Sequence, residues 1–109
     1  MEIRANGERL WHTLMEMAKI GPGEHGGNRR LALTDEDIEG RTLFQKWVAE
    51  AGCTIRQDTM GNIFARREGK SPDKDPVLSG SHLDTQPAGG RFDGILGVLG
   101  ALEVVRSLN

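Results

Sequence analysis

Residues 95–105 read ILGVLGALEVV, an apolar run with almost no polar face. A helix that is apolar nearly all round has to be covered on more than one side, unlike the amphipathic helix of a protein surface. Gly97, Gly100 and Ala101 are small positions within it. Each glycine costs about 1 kcal/mol of helix propensity relative to alanine, and close packing must offset that cost. The segment is therefore expected to be a helix buried against a sheet, ending with the sequence at Asn109. The rest of the chain has to supply the cover.

The upstream sequence offers two helices and three strands. Leu10, Leu14, Met17 and Ala18 recur at three- and four-residue spacing, which predicts a helix from about Gly7 to Lys19. Asn6 is its cap, Glu8 sits in its first turn, and Trp11 flanks the apolar stripe. Ile20-Gly21-Pro22 ends it, and GPGEHGGNRR (21–30) is too rich in glycine to be anything but a loop. Thr34 caps a second helix over about 35–51, with Asp35, Glu36 and Asp37 in its first turn. Phe44, Trp47, Val48 and Ala51 share a face, and Gly52 is a C-terminal stop. Residues 53–58 and 62–67 predict an antiparallel pair joined by DTMG, with Cys53, Ile55 and Gln57 on one face. Residues 68–76 form an exposed loop, and a third short strand runs from Val77 to about Ser81. The order is α-α-β-β-β-α, an α/β class. Three short strands and two amphipathic helices give the last helix few partners. The domain is expected to continue beyond residue 109 or to be completed by another chain.

The totals exclude several classes. A length of 109 residues fits one domain. The net charge is −2 and the 14 basic residues are scattered, which argues against nucleic-acid binding, since that needs them clustered on one face. Cys53 is the sole cysteine, so no internal disulfide forms and a cytoplasmic setting is expected. The N-terminus MEIRANGERL has no apolar core of a secretory signal. No apolar run approaches the ~20 residues of a membrane span, so no membrane partner is expected.

Residues 80–94, GSHLDTQPAGGRFDG, carry the chemistry. His82 follows a predicted strand, at the end where α/β folds gather ligands and catalysts. An imidazole there can bind a metal once its other nitrogen is oriented by an acceptor, and Asp84 is two residues away. PAGGR permits a tight backbone path to Asp93, which immediately precedes Gly94 and the apolar helix. A carboxylate at a helix start is favoured by the free N–H groups, and its two oxygens can bridge two metal ions. Other roles fit the same residues: a surface histidine, a turn residue at Asp84, a helix N-cap at Asp93. One histidine and two aspartates are also too few for a closed zinc site, which takes four ligands.

GSHLDTQPAGGRFDGILGVLGALE (80–103) resembles the signature of the zinc-dependent hydantoinase/carbamoylase amidohydrolases. That family includes N-carbamoyl-L-amino-acid hydrolases, β-ureidopropionases and allantoate amidohydrolases, within the wider di-zinc aminopeptidase and carboxypeptidase clan. GGNRRLALTDEDIEGR (26–41), WVAEAG (47–52) and DTMGNIFARREG (58–69) resemble further family blocks in the family's order. Related peptidases reach their bridging aspartate after a longer insert, whereas His82 and Asp93 are eleven residues apart. The resemblance implies that His82 is a ligand to one metal, that Asp93 bridges two, and that Asp84 orients His82. Gly94 would permit the unusual backbone after Asp93. Gln86 matches a variant nearer the β-ureidopropionase-like members and assigns no substrate.

The implied fold is the N-terminal part of a di-zinc aminopeptidase-like catalytic domain over residues 1–109, incomplete as an isolated chain, with the lid or dimerisation domain absent. The implied cofactor is a pair of divalent metals, zinc first, with manganese, cobalt and nickel open to the same ligands. The implied reaction hydrolyses a small ureido substrate to an amine or amino acid, ammonia and carbon dioxide, in a homodimeric parent enzyme. The family's Glu-Glu pair, which includes its general base, and two more histidine ligands come later than residue 109. His12, beside Trp11 in the first helix, reads as structural, and His25 lies in the glycine loop. Neither replaces those ligands, so these residues alone are expected to bind metal weakly and to turn over nothing. Two other functions stay open. One is a clan peptidase or deacylase, against which the short His82–Asp93 gap counts. The other is a non-catalytic interaction module.

Overall fold

The computed structural model describes residues 2–109. Asn6 starts the first helix, α1 (Gly7–Ala18), with its side chain accepting a hydrogen bond from the Arg9 amide at 3.0 Å. Leu14 and Met17 are buried from the predicted stripe, and Trp11 stays exposed beside it. The helix stops one residue before the predicted Lys19, which closes the last turn. A single 3-10 turn, Glu24–Gly26, is the only regular structure in the glycine loop.

Helix α2 (Asp35–Glu50) starts where Thr34 accepts from the Asp37 amide at 3.3 Å. It ends at Glu50, two residues before Gly52, whose φ of +86° suits glycine. There the amides of Gly52 and Cys53 bond to the carbonyls of Ala49 and Val48 and close the final turn. Phe44 and Val48 are buried and Trp47 and Ala51 pack against them, the predicted face.

Strands β1 (Thr54–Gln57) and β2 (Ile63–Arg66) pair antiparallel, Thr54 opposite Arg66 and Gln57 opposite Ile63. The Asp58 carboxylate ties the turn by accepting from the Met60 and Asn62 amides and the Asn62 side chain. Those bonds, the Asn62 side chain's first, hold the Asp58 pKa below the usual carboxylate range. The expected face of Cys53, Ile55 and Gln57 is not a buried one: every residue of β1 is exposed. Among the described residues α2 is the element chiefly packed on the hairpin, and no second layer buries that face of β1. Cys53 is half-buried and free, and burial raises its thiol pKa.

Two expectations are corrected. Val77–Ser81 is not a strand, because among the described residues it pairs with no other segment. Val77 and Leu78 are instead 100% and 82% exposed, an apolar ribbon with no neighbour. The order is therefore α-α-β-β-α. The last helix, α3 (Ile95–Leu108), packs on α1 and not on a sheet. Among the described residues α2 lies against the hairpin, and the hairpin's other face stays open to solvent without meeting α3. Gly97 does allow close approach, since a Cβ there would lie 2.8 Å from Ser81 Cβ, but Gly100 faces nothing within 4 Å. Leu96, Val104 and Leu108 are exposed on the uncovered side.

The core is the meeting of three helices: Leu14 and Met17 from α1, Phe44 and Val48 from α2, and Ile95, Val98, Leu99 and Leu102 from α3. Within it lies a buried acid. Glu103 is 2% exposed and takes a two-pronged bond from Arg9, Nε at 2.8 Å and Nη2 at 2.7 Å. The Asn6 amide and the Ser107 hydroxyl satisfy it further. These partners, Arg9 first, lower its pKa to about 2. Arg106, also on α3, donates to Thr13 Oγ1 at 2.9 Å and so adds a second polar tie to α1. Among the described residues no helix is long and apolar enough to cross a membrane.

Two outcomes follow for urea denaturation. Leu99→Ala removes a side chain that is 1% exposed and should cost about 2–5 kcal/mol. Because the Glu103 pKa is lower folded than unfolded, the pair stabilises fully above the ordinary carboxylate range and loses its effect as pH falls towards 2. Glu103→Gln should flatten the acid limb of the stability curve, and an unchanged limb would contradict the pairing.

Candidate functional site

The start of α3 defines the site. Its N-cap residue is Gly94, with φ +74° and no side-chain cap. L-residues rarely adopt that conformation, and a Cβ there would overlap the His82 ring. The imidazole thus lies directly on the Gly94 backbone. Asp93 is not the helix cap. Its carbonyl accepts from the Ile95 amide at 2.9 Å, and among the described residues its carboxylate accepts no hydrogen bond.

His82 Nδ1 lies 2.8 Å from the backbone carbonyl oxygen of Asp84. A carbonyl can only accept, so Nδ1 carries the proton and Nε2 of the neutral ring keeps its lone pair. The Asp84 carboxylate is farther off, with Oδ1 3.4 Å from Nδ1. Asp84 therefore orients His82 chiefly through its main chain. On the other side of the ring, Nε2 is 3.9 Å from Asp93 Oδ1. Two acceptors face each other across that gap, an arrangement relieved by a cation or a proton between them. Zinc bond lengths put two ligands of one ion at most about 4 Å apart, so the separation is within reach of a shared metal. All three side chains are open to solvent, His82 at 50%, Asp84 at 42% and Asp93 at 60% exposure.

The predicted residues His82, Asp84 and Asp93 are thus brought together, with His82 between the Asp84 main chain and the Asp93 carboxylate. Among the described residues no three His, Cys, Asp or Glu side chains converge as a metal-holding group. His12 is exposed on α1 and lines a groove with Trp47 and Arg106. His25 is exposed in the 3-10 turn, at φ +54°.

Several residues that hold the site are not legible from the motif. Arg30 is fully buried. Its Nε donates to the Leu83 carbonyl at 3.0 Å and its Nη1 to the Ile20 carbonyl at 2.9 Å. Its amide donates to Thr85 Oγ1 at 2.7 Å, and its carbonyl accepts from the Thr85 amide at 2.8 Å. Asn28 and Gly89 exchange backbone bonds of 2.8 and 3.1 Å. Arg91 Nε donates to the Gly26 carbonyl at 2.7 Å, and Phe92 lies against Trp11 with ring centroids 6.0 Å apart. The glycine loop and Arg30 are therefore bonded to this segment at Leu83, Thr85, Gly89 and Arg91. The one signal for this is the pair of polar residues, Asn28 and Arg30, straight after the glycines.

Gly94→Ala should shift the His82 ring resonances and cost roughly 1–2 kcal/mol, from a positive φ that alanine does not tolerate. Unshifted ring signals in the folded variant would contradict the close approach.

No protein-family model matches the chain. It is 61% identical over 106 residues to an N-carbamoyl-L-amino-acid amidohydrolase of Rhizobium meliloti, covering 97% of this chain and 26% of that protein. It is 42% identical to a ureidoglycolate hydrolase of Arabidopsis thaliana over 91% of this chain and 21% of the relative. Against an allantoate amidohydrolase of Escherichia coli the identity is 38%, over 86% of this chain and 23% of the relative. The fold is similar to a crystal structure of a hydantoinase/carbamoylase family amidase from Burkholderia multivorans, with a TM-score of 0.96 at 63% identity, over 98% of this chain and 26% of that one. The chain spans about a quarter of the length of these relatives. By sequence and by fold, it belongs to the hydantoinase/carbamoylase amidohydrolases, as a part of their length.

Proposed function

We propose that the full-length protein containing this chain hydrolyses the ureido C–N bond of a small N-carbamoyl amino acid or related ureido acid at a binuclear divalent metal centre. His82 would hold one metal through Nε2, Asp93 would be the carboxylate shared between the two, and Asp84 would orient His82. The observation that carries the reading is the Nε2 lone pair of His82, kept free by the Nδ1 bond to Asp84 and facing the unengaged Asp93 carboxylate at 3.9 Å. The relatives named above act, by their names, on carbamoyl amino acids, ureidoglycolate and allantoate. The ureido group is common to all three, and it is the part of the substrate that this site would meet.

The residues divide the work. The Asp84 carbonyl holds the Nδ1 proton, which leaves Nε2 as the nitrogen presented to a ligand. Asp93 is free of cap duty, so both its oxygens remain for ligation. Gly94 removes the Cβ that would push the imidazole away. Zinc, or manganese, cobalt or nickel in its place, would when bound supply carbonyl polarisation and a water of lowered pKa, about 7 for zinc. The general base, the remaining ligands and the lid or dimerisation domain lie outside residues 1–109, and the parent is a cytoplasmic homodimer. These 109 residues alone turn over nothing.

Assay of the full-length protein with zinc should release ammonia from N-carbamoyl amino acids or allantoate and leave dipeptides intact. Chelation should abolish turnover, and His82→Ala or Asp93→Ala should lower kcat/KM by more than about a hundredfold, since loss of even an outer partner of a metal ligand costs 10- to 100-fold. Cleavage of dipeptides in preference to ureido substrates would replace this reading with a peptidase.

A further inference from the structure

We infer that Arg30 is a positioning residue for the site, fixing the His82 imidazole in the Nδ1-protonated tautomer by holding both peptide units that flank Asp84. The inference rests on the reading of His82 Nε2 as a ligand atom.

The argument starts from the planarity of the peptide bond. The Asp84 carbonyl and the Thr85 N–H belong to one rigid unit and, in a trans peptide, point in opposite directions; there is no cis peptide among the described residues. The Thr85 N–H is bonded to the Arg30 carbonyl at 2.8 Å, so the Asp84 carbonyl is aimed away from Arg30, and there it meets His82 Nδ1 at 2.8 Å. The preceding unit carries the Leu83 carbonyl, which accepts from Arg30 Nε at 3.0 Å. With both units held, both backbone torsions of Asp84 are fixed. The Thr85 hydroxyl locks the arrangement by accepting from the Arg30 amide at 2.7 Å.

The burial of Arg30 marks this as more than packing. A fully buried guanidinium is expensive, and one of its nitrogens, Nη2, has no partner. Its other bonds reach the Met17 and Ile20 carbonyls at the end of α1. The same side chain therefore ties the site to the three-helix core. An apolar side chain would fill the space and leave the Leu83 carbonyl without its donor.

The test reads the tautomer directly. Metal-free full-length protein with 15N-labelled histidine is observed by long-range proton–nitrogen correlation, at a pH well above the imidazole range. The parent protein should show His82 with an unprotonated Nε2. Arg30→Met and Thr85→Val should each lower the tautomer preference by roughly five- to tenfold, the worth of one lost hydrogen bond. Thr85→Ser, which keeps the hydroxyl, should restore it. An unchanged Nε2 signal in folded Arg30→Met overturns the inference. Where that variant does not fold, the same result in Thr85→Val does so, because it leaves the guanidinium in place. The tautomer is read without metal, so failure here leaves the ligand assignment standing. Zinc titration of the parent protein, followed at the same nitrogen, tests that assignment separately.

Discussion

The buried guanidinium of Arg30 is the constraint on which the rest of this structure depends. It is fully enclosed, bonded to carbonyls at the end of α1 and beside the site. Helix α2 makes room for it: a Cβ on Gly40 would stand 2.8 Å from Arg30 Cδ. Burial pulls its pKa down and the charges of Asp37 and Asp84 push it back up, but a guanidinium stays charged through any such shift. A charge that cannot be neutralised must keep its hydrogen bonds, so the glycine loop, the end of α1 and residues 83–85 are held in one arrangement. The glycines upstream let the chain turn back on itself so that Asn28 reaches Gly89 and Arg30 reaches Thr85.

A second polar tie works at the opposite end of the helical core. Glu103 lies inside a segment otherwise apolar, and its partners beyond α3 come from α1 and its cap, residues 94 and 97 positions earlier in the chain. Apolar burial alone would leave α1 and α3 free to slide. The two-pronged Arg9 bond and the Asn6 amide fix their register. Charge pairs with a buried member are weak sources of net stability, and what this one adds is a directional tie between α1 and α3.

The local signals in the sequence were largely sufficient for the helices. Asn6 and Thr34 cap where their side-chain chemistry says they should, Gly52 stops α2, and the spacing of Leu14 and Met17 or of Phe44 and Val48 marks the buried faces. Non-local partners were beyond such signals. Whether Val77–Ser81 becomes a strand depends on a neighbour that no local pattern specifies, and the described residues contain none. The apolar surface of α3 declares that it wants cover, but not from where; α1 covers one side and Leu96, Val104 and Leu108 stay open. At the site, the motif marked His82, Asp84 and Asp93. It did not mark the route by which Asp84 acts, since a backbone carbonyl has no side-chain signature. Arg30 is more than fifty residues away in sequence, and its place straight after the glycines does not say which residues it reaches.

The central claim is that His82 Nε2 and the Asp93 carboxylate share a divalent metal. The most direct measurement is an anomalous-difference map at the zinc edge, from crystals of the full-length protein grown with zinc. The account predicts a peak within bonding distance of both His82 Nε2 and an Asp93 oxygen, with Nδ1 still donating to the Asp84 carbonyl. A zinc bound without contact to Asp93, or a His82 turned so that Nε2 carries the proton, would contradict it.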